Sequence, residues 1–195
     1  MTSSNSMNDF PQQIREKNAK LLLYIAIGSM VMLFAGITSG YIVSKSSGTW
    51  LYFDLPVPFW FSTGIILLSS LTMKMAMGAV KTANYPATAN YLLITLVLGL
   101  AFAVLQFWGW NDLVSQKIFF AGKSSNAAGS YMYVITGLHL AHLLGGLIAL
   151  LVSYSKAKNN RYTAEQHAGL SLTSTYWHFL DILWVYLFLF LFFAR

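Results

Sequence analysis

At 195 residues the chain has an ordinary length for one domain, yet 56% of it is apolar and only 9% charged. A soluble domain carries roughly 25% charged residues, so the membrane class is favoured before any residue is read in place. The absence of cysteine excludes disulfides, thiolate catalysis, cysteine-ligated zinc and iron–sulfur clusters together.

The formal charge of +6 comes from twelve Lys and Arg that stand singly or in small groups between apolar runs. They read as loop charges that set topology and meet anionic lipid headgroups, and no nucleic-acid partner is expected.

Residues 1–20 are polar and contain no signal-peptide core, so they are expected to form a cytoplasmic N-terminal segment, with the first apolar run kept in the mature protein. A helix needs about 20 largely apolar residues to cross a hydrocarbon layer of about 30 Å. Five segments meet that test, at approximately 21–43, 58–80, 91–110, 131–152 and 173–193. Residues 21–193 are therefore predicted to be a single all-α membrane domain, a five-helix transmembrane bundle, because an open sheet could not satisfy its edges in lipid. Turn and polar residues separate the segments: Lys45, Ser46, Ser47 and Gly48; Asn84, Tyr85 and Pro86; Gly122 to Gly129; Lys156 to Arg161.

Five crossings put the two termini on opposite sides. One side collects Arg15, Lys17, Lys20, Lys74, Lys81, Lys156, Lys158 and Arg161, and the other Lys45, Lys117, Lys123 and Arg195. The positive-inside rule then places the N-terminus in the cytoplasm and the C-terminus on the outer side of the membrane, with Lys74 snorkelling from the inner end of the second helix. Trp50, Tyr52, Trp60, Trp108 and Trp110 fall near the outer boundary and suit an interfacial belt. Gly36 with Gly40, and Gly145 with Gly146, are positions where helices can approach closely.

Ionisable and strongly polar side chains at membrane depth are costly and need a partner or a purpose. The candidates are Gln106 on the third helix, His139 and His142 on the fourth, and His178 and Asp181 on the fifth. His139 and His142, three apart, could begin a metal or haem site. A structural metal wants about four ligands and a catalytic one about three plus water, whereas the chain has four histidines and no cysteine. The supply of ligands favours a structural role, a hydrogen-bonded pair between helices, and no metal site is expected. His178 and Asp181 repeat the same spacing. At about 1.5 Å per residue, His142 lies roughly 16 Å below the outer boundary and Asp181 roughly 12 Å above the inner one, so the two share a level. Either histidine is expected to satisfy Asp181, since an unpaired buried carboxylate is expensive. A proton relay needs groups across the whole bilayer, and the first helix offers none.

The segment Tyr176, Trp177, His178, Phe179, Leu180, Asp181, Ile182, Leu183, Trp184 resembles the Y-W-H-F-x-D-x-x-W signature on the last helix of cytochrome oxidase subunit III. Other stretches follow in order: Leu55 to Ser70 resembles the family's L-P-x-x-F-W-x-S-T run, Leu105 and Gln106 its glutamine-bearing helix, and Gly137 to Gly146 its G-x-H-x-x-H-x-x-G-G stretch. The matches span about Ala19 to Phe193 and point to the short, five-helix form that lacks the first two of seven helices. One departure stands out: where the family commonly has Ser-Glu, this chain has Ser29 and Met30, so no role of that carboxylate carries over.

The resemblance implies a cofactor-free, non-catalytic accessory subunit of a proton-pumping terminal oxidase in aerobic respiratory electron transport. Haem and copper are then expected in partner subunits, catalytic subunit I and other oxidase subunits are the expected partners, and phospholipid is bound. A larger respiratory supercomplex is compatible with this. The equivalent subunit of a quinol oxidase or nitric-oxide-reductase system is the nearest rival, separated by whether the neighbouring subunit carries a copper-binding domain. An independent transporter is a rival of another class, but internal repeats and broken helices are absent from the sequence pattern.

Overall fold

In lipid a backbone can bond only to itself, so long apolar runs become helices. The computed structural model describes residues 6–46, 50, 54–122, 126–159, 161–163 and 166–194, with side chains from residue 14 onward. Ser47, Gly48, Tyr52, Lys123 and Arg195, all used in the reading above, lie outside them. Among the described residues the chain forms five α-helices and no strand: α1 (Ser6–Lys45), α2 (Val57–Lys81), α3 (Tyr85–Ser115), α4 (Ala127–Lys158) and α5 (Ala168–Ala194). All five are long and apolar enough to cross a membrane.

Each helix contains its expected crossing segment and continues beyond it. The largest extension is in α1, which begins at Ser6 because Gln12, Gln13, Arg15, Glu16, Lys17, Ala19 and Lys20 are mostly good helix formers. Hydropathy marks where lipid begins, while propensity decides where the helix begins. The connections are short for a physical reason. After α2 the backbone turns through Ala83 at φ +57°, and Asn84 caps α3 by accepting the Ala87 N–H at 3.2 Å. Pro86 sits in the first turn of α3, where no N–H is needed. Asn126 caps α4 in the same way, accepting the Ala128 N–H at 2.9 Å.

The helices α2, α3, α4 and α5 close a ring in which each packs on the next, the α2–α3 hairpin most extensively, and α1 lies outside it against α4 and α5 alone. Trp177, Trp184, Phe59, Phe102, Met73 and Leu143 fill the ring with almost no exposure.

Small residues let the ring close, though not all where the G-x-x-x-G spacing pointed. A Cβ on Gly36 would meet nothing within 4 Å, and one on Gly40 would meet only the Tyr131 side chain. The close approaches between ring helices are at Gly99, where a Cβ would come within 2.7 Å of Trp177, at Gly109, within 2.8 Å of Phe59, and at Gly146, within 3.0 Å of Leu180, while one on Gly129 would come within 2.7 Å of Ile118 in the α3–α4 connection. The expectation for Gly145 and Gly146 therefore holds through Gly146, since a Cβ on Gly145 would only graze Tyr176 at 3.7 Å.

Polar links pin α1 to the ring. The Thr38 and Tyr186 hydroxyls lie 3.1 Å apart, those of Ser44 and Tyr131 3.0 Å apart, and Lys45 Nζ donates to the Ala194 carbonyl at 2.7 Å.

Candidate functional site

The polar side chains at membrane depth divide among three places. In the centre of the ring, Gln106 is fully buried and donates from Nε2 to Ser62 Oγ at 3.0 Å, leaving its carbonyl oxygen without a protein partner. His139 is also fully buried. Its ring lies 5.1 Å from that of Trp184 and 5.9 Å from that of Phe102, centroid to centroid, and neither nitrogen has a hydrogen-bond partner.

His142 goes elsewhere. Its Nδ1 donates to the Leu138 carbonyl one turn back at 2.7 Å, which leaves Nε2 as an acceptor, and its ring packs 5.8 Å from Phe34 on α1. The hydrogen-bonded pair between helices expected of His139 and His142 is therefore not formed. Three residues advance a helix by about 300°, so His139 turns into the ring while His142 turns toward α1.

The third place is the seam between α2 and α5. His178 Nδ1 lies 2.8 Å from Ser70 Oγ and 3.9 Å from Asp181 Oδ2. Asp181 is buried, and neither carboxylate oxygen has a hydrogen-bond partner. Of the two histidines considered for Asp181, His178 approaches it at ion-pair distance without a hydrogen bond. His142 serves its own helix carbonyl.

Beyond these, three indole N–H groups donate across helices: Trp177 to Ser69 Oγ, Trp184 to Thr63 Oγ1 and Trp110 to Thr136 Oγ1, at 3.0, 3.0 and 2.9 Å. Trp110 therefore points into the bundle, whereas Trp60 and Trp108 are more than half exposed, as an interfacial belt would have them. The signal for the acceptors was present in the sequence. Ser62 and Ser69, and likewise Thr63 and Ser70, are seven apart and share one face of α2. Among the described residues no three His, Cys, Asp or Glu side chains converge in a group able to hold a metal ion.

Between α1, α4 and α5 lies a cavity of ≈ 610 Å³, lined in part by Ser29, Met30, His142, Gly145, Thr173 and Tyr176. The distinctive methionine and His142 thus share one space. A glutamate at position 30 would face the open acceptor Nε2 of His142, and protonated it could donate to that nitrogen. Met30→Glu is accordingly expected to be tolerated better with His142 present than with His142→Leu. The expected coupling is about 1 kcal/mol in a double-mutant cycle of detergent unfolding. Strict additivity would show that the two positions do not meet.

Residues 15–194 match the family model described as cytochrome c oxidase subunit III. The chain belongs to that family. It is 32% identical over 179 residues to a protein described as a probable cytochrome c oxidase subunit 3 from Nocardia farcinica, covering 88% of this chain and 85% of the relative. It is 30% identical to the subunit 3 of Alkalihalophilus pseudofirmus over 95% and 92% of the two chains, and 28% identical to that of Corynebacterium diphtheriae over the full length of both. The matches cover most of each of these bacterial relatives. The chain is therefore an accessory subunit of a terminal oxidase, a multi-pass membrane protein that associates with other oxidase subunits. In this light the buried polar groups of α2 to α5 are part of a subunit whose family is non-catalytic.

Proposed function

We propose that this chain is the cofactor-free scaffold of a bacterial cytochrome c-type oxidase, seated on catalytic subunit I in the cytoplasmic membrane with its N-terminus inside. It holds phospholipid and sustains turnover of its neighbour. The observation that carries this reading is the direction of its polar chemistry. Trp110, Trp177 and Trp184 each knit one helix to the next through a Ser or Thr hydroxyl, which braces helices in a low-dielectric medium. His139, the most buried of the histidines at membrane depth, is packed between aromatic rings.

Purification in mild detergent tests the assignment. The chain should be recovered together with haem-containing chains, and its recovery as a lone active protein would overturn the subunit reading.

Asp181→Asn tests the supporting role. The initial rate of oxygen reduction in the assembled complex should stay within about twofold of wild type, while the half-life during continuous turnover should fall several-fold, because the change alters a buried group in the brace between α2 and α5. Immediate and complete loss of oxygen reduction in a fully assembled complex would place Asp181 in the reaction itself.

A further inference from the structure

Lys74 is an exposed cation on a membrane-spanning helix, and its position does not suit a simple escape to water. It stands two turns before Lys81, the last residue of α2, so its Cα is about 10 Å inside the helix end. Side chains on a helix lean toward its N-terminus, which in α2 is back toward Ser70 and away from the nearer end.

Ser70, one turn earlier on the same face, is bonded to His178, so Lys74 stands about 6 Å along the helix from that pair. The two groups therefore lie near one level. Among the described residues Lys74 makes no hydrogen bond or ion pair. Asp181 does not neutralise it, because that carboxylate is turned inward, with its side chain 3% exposed, while His178 remains 33% exposed.

The surroundings have the shape of a trough. Helices α1 and α2 both pack on α5 and not on each other, so α5 forms a floor between two walls. His178, Ile182 and Tyr186, spaced by four, run along that floor, with Ile182 70% exposed and Tyr186 46% exposed. An acyl chain would cover Ile182 but has no acceptor to offer Lys74 or His178. A headgroup phosphate belongs at the membrane surface. A lysine ammonium at this depth calls for a counter-charge.

We infer that the trough between α1 and α2 receives a transmembrane helix of a neighbouring oxidase subunit, one that carries a carboxylate at the level of Lys74 and His178. This rests on the chain being an accessory subunit, and it specifies which face does the docking. The partner's carboxylate would meet the Lys74 ammonium, its apolar residues would cover Ile182 and Tyr186, and Asp181 would remain behind His178.

The test uses the intact complex in native membranes. A membrane-permeant carbodiimide condenses a lysine amine with an adjacent carboxylate into an amide, the elements of water passing to the reagent as its urea. Peptide mapping by mass spectrometry then identifies what Lys74 has joined. The expected product is the Lys74 peptide linked to a peptide of another subunit, and this link should vanish in Lys74→Met. Absence of an intersubunit link in the wild-type complex, or a link from Lys74 to Asp181 of the same chain, overturns the inference. In parallel, Lys74→Glu should lower the haem-containing chains recovered per copy of this chain about tenfold, with Lys74→Arg within twofold of wild type. Recovery of Lys74→Glu complexes at the wild-type level would show this face turned to lipid. If instead the wild-type chain fails to bring down haem-containing chains, the subunit assignment itself fails, and the two failures are distinct.

Discussion

Replacing Trp177 with alanine is expected to destabilise the isolated chain by about 3–5 kcal/mol, the range for removing a large buried aromatic. Trp177 is fully buried at the point where α2, α3, α4 and α5 meet. Its ring fills the space left open by Gly99 and Gly146, and its indole N–H donates to Ser69 Oγ on α2. The reason for the cost differs from that in water. Lipid is as apolar as the bundle interior, so little hydrophobic transfer is at stake. The loss is of dispersion contacts around a cavity that rigid helices cannot close, plus one interhelical hydrogen bond. The measurement is unfolding in detergent against Leu68→Ala, a change on an exposed side chain. If Trp177→Ala and Leu68→Ala lose the same stability, Trp177 is not the centre of the packing.

Gly99→Val is expected to act from the other side of the same contact, at a cost of about 1–3 kcal/mol or more. Its Cβ alone would lie 2.7 Å from Trp177 and 2.9 Å from Leu147. Two further methyl groups would force α3 away from α4 and α5, or Trp177 out of its rotamer. Gly28→Val is the matched control, since a Cβ there meets nothing within 4 Å. Because the clash involves a specific neighbour, Leu147→Ala should recover part of the loss at Gly99 and none at Gly28. Equal effects of the two valine substitutions would mean that helix propensity, rather than packing, controls both.

The contrast between those glycines shows where the sequence is informative. Five spans are legible because crossing a bilayer is a demand on length and polarity that any window of residues must meet by itself. Which glycine sits at a helix crossing depends on what stands opposite, and no local pattern encodes that. Hence Gly36 and Gly40, with the recognised spacing, face open space and one tyrosine, while Gly99 and Gly109, without it, mark the tight crossings. The polar residues follow the same division. That Gln106, His139 and Asp181 would be inward-facing follows from the cost of exposing them to lipid, and all three are buried. Their partners are not legible, because a rotation of 60° about a helix axis decides whether His139 meets His142's neighbours or the Phe102 and Trp184 rings. The start of α1 escapes hydropathy for a further reason: outside the membrane, helix propensity continues without any apolar signal.

The placement of α1 has a consequence for biosynthesis. This helix is made before α2 to α5, yet its contacts are with α4 and α5, and its clasp, from Lys45 to the Ala194 carbonyl, awaits the end of α5. During translation α2 and α3 can already zip into their hairpin while α1 waits in the bilayer without a docking site. A nascent chain stopped after α3 should therefore hold a formed hairpin beside an untethered anchor, and the bundle can seal only once α4 and α5 have followed.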